Sequence, residues 1–311
     1  MKKLNRKILI LFLFFIVIGG LLTAIFLYWQ NLQDQQYDNY ETATENDQLK
    51  VAEDQAKQLD VIASSTISTT LNVNDPKNLS SKVYQVRFGI LMYHHIDYKN
   101  KRLSVKPENL DKQIKYLLDS GYHFVKLSEA FKAFASSTSS TYPNDKTLVL
   151  TFDDGYRDFY LNAYPILKKY NVPGSLYIIN QDIGKRGNVT WEMIRQIHDE
   201  KLVEIGVHTV NHLPLGKVKP ETAYYQMAKS KELLEAGLKD KVDTIVYPFG
   251  SFNNSVKKQA KDIGFIGAAS VYFGQRPSSQ DLYSWRRVMV TNSDINVLLL
   301  RKLYIGFELI K

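Results

Sequence analysis

Two carboxylates stand side by side at Asp153-Asp154, closing the apolar run Leu148-Val149-Leu150-Thr151-Phe152 and followed by Gly155. Adjacent like charges repel unless positive charge lies nearby, and a bound metal ion is the strongest local source of it. The plain alternative is a strand ending in an Asp-Gly turn. Further along, His208-Thr209-Val210-Asn211-His212 sets two imidazoles four residues apart. On a helical turn they share a face, and in a tight loop they can converge. A lone pair of this kind is commonly surface or core material. With one carboxylate added, it makes a facial triad that leaves positions open for water and substrate. A third group, His94-His95, follows Val86-Arg87-Phe88-Gly89-Ile90-Leu91-Met92-Tyr93.

These residues need strands to carry them, and the pattern supplies strands. Val86 to Tyr93, Thr147 to Phe152, Gly174 to Ile179, Leu202 to Val207, Thr244 to Tyr247, Phe265 to Val271 and Val288 to Thr291 read as β. Between them, Pro107–Ser120 (closed by Gly121), a short piece from Ser128, Asp158–Tyr170, a segment capped by Thr190, Pro220–Leu238, Asn254–Asp262 and Asp294–Tyr304 read as helices. Alternating strands and helices predict an α/β fold with a mostly parallel sheet, open or closed as a barrel. Ligands of such folds sit at the carboxyl ends of the strands. His94, Asp153, Asp154 and His208 fall there, on three separate strands.

Composition narrows the chemistry. The chain has 311 residues, 44% of them apolar, and no cysteine. That excludes disulfides, thiolate metal sites, cysteine nucleophiles and a lipidated cysteine anchor. Lys2, Lys3, Arg6 and Lys7 precede an uncharged apolar run from Ile8 to Trp29, 22 residues long. At about 1.5 Å per residue it spans roughly 33 Å, enough for a bilayer core. Its aromatic close, Phe26-Leu27-Tyr28-Trp29, suits an interfacial belt, so residues 1–29 read as an uncleaved single-pass signal anchor with its amino end cytoplasmic. Cleavage near Thr23-Ala24 is the alternative. Residues 30–83 read as an acidic, polar stalk with a helical piece at Gln48–Ile62, and residues 84–311 as an extracytoplasmic domain on a Gram-positive-type cell surface. Residues 30 to 80 carry nine acids and three lysines, whereas 81 to 311 carry 33 basic and 23 acidic residues. A basic outer domain suits anionic envelope polymers. Nucleic acid is not expected, for no basic cluster is interleaved with aromatics.

Thr151-Phe152-Asp153-Asp154-Gly155 and His208-Thr209-Val210-Asn211-His212, in that order and each ending a strand, resemble the polysaccharide deacetylases of the NodB-homology type, carbohydrate esterase family 4. The resemblance covers about residues 84 to 291 and includes Val189-Thr190-Trp191-Glu192 and Glu204-Ile205-Gly206-Val207-His208. It implies a distorted (β/α) barrel. It also implies that Asp154, His208 and His212 hold a divalent metal, most often zinc, and that Asp153 is the general base. In Tyr247-Pro248-Phe249-Gly250 it implies the Phe249 N–H as oxyanion donor. The same motifs offer Tyr156, Trp191 and Tyr247 as substrate contacts.

Two departures inform the reading. Many members carry an arginine two residues before that proline to pair with the base, where this chain has Val246; Arg286 or Arg287 could replace it, and Arg287 better matches the arginine-aliphatic strand start. Many members also end with a histidine that protonates the leaving amine, but no histidine follows His212. Ile90-Leu91-Met92-Tyr93-His94-His95 resembles the opening of the poly-β-1,6-N-acetylglucosamine deacetylase branch, which gives the acid role to the histidine after tyrosine, here His94, with His95 beside it as the other candidate. The expectation is metal-dependent de-N-acetylation of an extracellular N-acetylglucosamine polymer. A peptidoglycan or other wall-glycan deacetylase is the nearest rival, and a catalytically silent glycan-binding protein the rival from another class.

Overall fold

The computed structural model describes residues 86–99, 101–136, 146–271 and 280–308. The expected anchor and stalk, with the helical piece at residues 48–62, lie outside the described residues. Among the described residues no helix is long and apolar enough to cross a membrane.

Eight strands form one parallel sheet: β1 (Phe88–Tyr93), β2 (His123–Val125), β3 (Thr147–Phe152), β4 (Gly174–Ile178), β5 (Val203–Val207), β6 (Thr244–Val246), β7 (Gly267–Ala269) and β8 (Val288–Met289). Their order is β7-β6-β5-β4-β3-β1-β8, with β2 beside the start of β3. Helices α1 (Pro107–Asp119), α2 (Leu127–Ser136), α3 (Tyr164–Tyr170), α4 (Trp191–Asp199), α5 (Pro220–Leu238), α6 (Asn254–Ile263) and α7 (Val297–Glu308) fill the connections. The sheet curls into a half-barrel. A bridge between Ala269 and Trp285 joins β7 to the segment leading into β8, which pairs with β1.

The curl gives the sheet two apolar faces, as parallel strands require. Phe88, Ile90, Val149, Tyr177, Val246, Ala269 and Trp285 face inward, where Leu127, Ala130, Phe131 and Phe134 of α2 pack on them. Leu91, Tyr93, Leu148, Leu150, Phe152, Leu176, Ile178, Val203, Ile205, Val207 and Ile245 face the outer helices. Helix α2 is seated at the amino ends of β4 and β5. Its Leu127 N–H donates to Ser175 Oγ at 3.0 Å and its Ser128 N–H to Glu204 Oε1 at 3.1 Å. The helix blocks one mouth of the barrel and leaves the carboxyl ends of the strands open.

Side chains alternate along a strand, so the inward set extends by twos beyond each strand end. Ile90 leads to His94, Val149 to Asp153, and Trp285 to Arg287; Val203, Ile205 and Val207 point outward, which leaves His208 inward. The parallel register Tyr93↔Phe152 puts His94 beside Asp153, and Ile178↔Val207 brings His208 to the same rim. Gly206 fits this interior because a Cβ there would lie 2.2 Å from the Tyr177 ring.

One strand was not expected and two expected elements differ. β2 is only three residues long, too short to show a period. The Phe265–Val271 strand shrinks to Gly267–Ala269, because its neighbours pair with it only there. The helix expected over Asp158–Tyr170 opens with a π-helical turn, Phe159–Ala163, before α3 begins.

Candidate active site

Asp153 is buried and held by a partner distant in sequence. Arg287 Nη1 donates to Asp153 Oδ1 at 2.8 Å and Nη2 to Oδ2 at 2.7 Å. The guanidinium is itself fixed: Nη1 donates to Thr151 Oγ1 at 2.9 Å and Nε to the Ser270 carbonyl at 2.9 Å. Thr151 in turn donates its hydroxyl to the Leu91 carbonyl at 2.8 Å. Burial raises the Asp153 pKa, but the charge and hydrogen bonds of Arg287 outweigh it and hold the carboxyl below the usual carboxylate range. Asp153 is therefore an ionised, aimed carboxylate. Of the two arginines that the sequence offered, Arg287 occupies the position beside it.

Asp154 is turned out of line with Asp153 by a left-handed backbone, φ 70°, and Gly155 continues the turn at φ 73°. Its Oδ1 lies 3.3 Å from His208 Nε2 and 3.4 Å from His212 Nε2, and the two Nε2 atoms are 3.2 Å apart. A tetrahedral ion with bonds of about 2.0–2.1 Å spaces its ligand atoms by about 3.3–3.4 Å. The triangle has that edge, and Asp154 Oδ1 is buried without a hydrogen-bond partner. His208 Nδ1 donates to the Val246 carbonyl at 2.8 Å, which fixes its tautomer and leaves the Nε2 lone pair facing the triangle. The three residues fit a divalent cation.

The loop carrying His212 is tied down by its backbone. His212 N–H donates to Thr209 Oγ1 at 3.0 Å, and Val210 and Asn211 N–H both donate to Gln226 Oε1 of α5, at 3.1 and 2.9 Å. Thr209, His212 and Phe249 share with Asp154 a positive φ, at 70°, 57° and 57°. Such conformations cost roughly 1–3 kcal/mol each and cluster at functional sites. Burial, with the neighbouring His208, pushes the His212 pKa down to about 3, so this ring is neutral, as a ligand must be. Burial also lowers His208, but the adjoining Asp154 and Asp153 carboxylates override that and raise it.

His94 is buried, with Nε2 unpartnered, and the charges of Asp154 and Asp153 act on it. Burial nevertheless lowers its pKa. His95 is committed elsewhere, its Nδ1 2.6 Å from Asp158 Oδ2. Of the two, His94 is the histidine that faces the carboxylates. The Phe249 ring lies over His212, centroids 4.6 Å apart. Gly250 and Ser251 N–H are bonded to Tyr247 and Pro248 carbonyls, but no backbone bond among the described residues uses the Phe249 N–H.

The three residues expected as substrate contacts lie as follows. Tyr156 is buried and stacks on His95 with centroids 3.6 Å apart. Trp191 begins α4, and its ring covers Gly237 of α5 in the outer layer. Tyr247 is on the outer parity, where its hydroxyl donates to the Tyr283 carbonyl at 3.1 Å and its ring stacks on Phe252. Sequence reasoning missed Thr151, Asp158 and the Ser270 carbonyl. The inward parity of Thr151, two before Asp153, was the available signal; the others needed the fold.

The site's geometry agrees with what the chain resembles. Residues 140–268 match the family model for polysaccharide deacetylase. The Bacillus subtilis protein YxkH, named as a polysaccharide deacetylase, is 32% identical over 205 residues, 66% of this chain and 72% of that protein. This chain belongs to the polysaccharide deacetylase family. A poly-β-1,6-N-acetyl-D-glucosamine N-deacetylase of Staphylococcus aureus is 28% identical over 200 residues, 59% of this chain and 67% of that one. Among solved structures, the Streptococcus pyogenes deacetylase PplD in complex with acetate matches with a TM-score of 0.65 at 28% identity, covering 70% of this chain and 99% of that one. IcaB from Ammonifex degensii, at 22% identity and a TM-score of 0.63, shares the fold. This deacetylase is thus a hydrolase of the carbohydrate esterase 4 type.

Proposed function

We propose that this deacetylase removes the N-acetyl group from an N-acetylglucosamine polymer of the poly-β-1,6 type, outside the cell and anchored to its membrane. The observation that carries the chemistry is the triangle of Asp154 Oδ1 and the two imidazole Nε2 atoms, 3.2–3.4 Å on edge, one residue from the clamped Asp153. The staphylococcal likeness and the Tyr93-His94 opening support the choice of glycan. The apolar run after four basic residues supports the location.

Asp154, His208 and His212 would hold a divalent metal, zinc being the one the family resemblance implies, and its charge would acidify water and polarise the acetamide carbonyl. Asp153 accepts the proton that the attacking water gives up, and Arg287 keeps its two oxygens in place while it does so. The Phe249 N–H is the donor offered to the developing oxyanion. His94 delivers a proton to the sugar nitrogen, since an amine departs only when protonated. Acetate and a glucosamine residue result.

The test is to incubate the zinc-loaded protein with β-1,6-linked N-acetylglucosamine oligomers and, separately, with purified peptidoglycan, and to measure acetate and free amine. Release from the oligomers is expected. Release from peptidoglycan alone would transfer the assignment to the wall glycan, and release from neither would sink the reading.

A further inference from the structure

Asp158 has no part in the chemistry above, yet both its oxygens are spent on the strand end that carries His94. Oδ2 is 2.6 Å from His95 Nδ1, and Oδ1 accepts the Ile96 N–H at 2.9 Å. Tyr156 stacks on the His95 ring from the same segment, and Asn162 Nδ2 donates to the Ile96 carbonyl at 2.7 Å. From the other side, His95 N–H donates to the Leu103 carbonyl and the His95 carbonyl accepts from Val105 N–H. Residues 95 and 96 are thereby gripped at every backbone polar group. His94 is different: no side-chain hydrogen bond among the described residues holds its ring, and its Nε2 is buried and unpartnered. Its aim comes from the backbone next to it.

His95, Asp97 and Asp158 also lie close enough together to suggest a second cation site. Their bonds argue against it. Asp158 satisfies His95 and Ile96, while Asp97 stands 3.9 Å from His95 and accepts the Lys99 N–H. The cluster is a clamp.

We infer that Asp158 is a positioning residue for His94: it locks the end of β1 to the segment that leaves Asp153 and Asp154, so that acid and base are held as one unit. A charge-assisted bond and a second bond from one carboxylate make a two-point anchor. The inference rests on the reading of His94 as the acid.

Two substrates separate positioning from general damage. An N-acetylglucosamine oligomer needs its leaving amine protonated, whereas 4-nitrophenyl acetate releases a stable phenolate and needs no acid. In the full-length zinc-loaded protein, His94→Ala should lower kcat on the oligomer about 100- to 1,000-fold and on the ester no more than about 3-fold. Asp158→Ala should lower oligomer kcat about 10- to 100-fold with the ester again within about 3-fold. The double variant should be no worse than His94→Ala alone, because both changes remove one function. Equal losses on both substrates for Asp158→Ala, or no loss on the oligomer, would overturn the inference. Should Asp158→Ala fail to fold, Asp158→Asn, which keeps an acceptor for Ile96, is judged by the same ratio. If His94→Ala itself affects both substrates alike, the acid assignment falls and the inference with it. If only Asp158→Ala does so, the acid assignment stands and the inference alone is lost.

Discussion

Arg287 grips both oxygens of Asp153, at 2.8 and 2.7 Å, across 134 residues of sequence and inside a barrel where neither side chain meets solvent. A buried charge stripped of its partner is costly, so removing one member should matter twice. Arg287→Ala is expected to destabilise the fold by about 3–5 kcal/mol, read by thermal or urea unfolding, and to lower kcat/KM about 100-fold or more. Arg287→Lys, which cannot make the fork, should recover part of the stability and little of the activity. Wild-type turnover in either variant would show that Asp153 aims itself.

Asp153→Asn keeps the shape of the base and removes its ability to take a proton. The proposed metal ligands are other residues, so zinc content measured by mass spectrometry should be retained while acetate release disappears. Unchanged release would remove Asp153 from the role of base.

Metal affinity should fall as pH falls. Asp154 raises the pKa of His208 above its ordinary value of about 6.5, and a protonated imidazole offers no lone pair. Protons therefore begin to compete above that value, costing about tenfold in affinity per pH unit once His208 is protonated. Competition against a chelator of known affinity between pH 5.5 and 8 measures this. A flat profile would take His208 out of the ligand set.

Much of this site was legible because it obeys a parity. Asp153, His208 and His94 each sit just past a strand on its inward register, and an apolar run ending in charge announces that without coordinates. Positive φ at Asp154, Thr209 and His212 was not legible, because nothing in their types requires it; only the folded loops show it. Arg287 was legible as one of two arginines; only the barrel interior, with the Ser270 carbonyl and Thr151 waiting for its guanidinium, chooses between them. Asp158 was invisible, since its partners His95 and Ile96 lie more than 60 residues earlier. Trp191 and Tyr247 were named from motifs, which give neighbours in sequence, whereas strand alternation turns Tyr247 outward.

Gly206 tests the alternation argument through stability. A methyl group there would sit 2.2 Å from the Tyr177 ring, which is buried and hydrogen-bonded through its hydroxyl to Thr244 at 3.1 Å. Gly206→Ala should cost about 1–3 kcal/mol or more by forcing that ring aside. A combined Gly206→Ala, Tyr177→Phe chain should recover little, because the clash is with ring carbons. An unfolding midpoint equal to wild type in Gly206→Ala would mean that the barrel interior is looser than drawn.

Trp191 separates packing from binding. Its ring fills the space over Gly237, where a Cβ would come within 2.2 Å of it, and it leans on the outer core. Trp191→Ala should open that space and cost about 2–4 kcal/mol, somewhat less than a fully buried tryptophan because the residue is half-buried. At a temperature well below unfolding, KM for an N-acetylglucosamine oligomer should stay within about twofold of wild type, since uniform binding energy is lost only when a substrate contact is removed. A large rise in KM with stability intact would return Trp191 to the substrate, and would mean that the glycan reaches past the rim to the joint between α4 and α5.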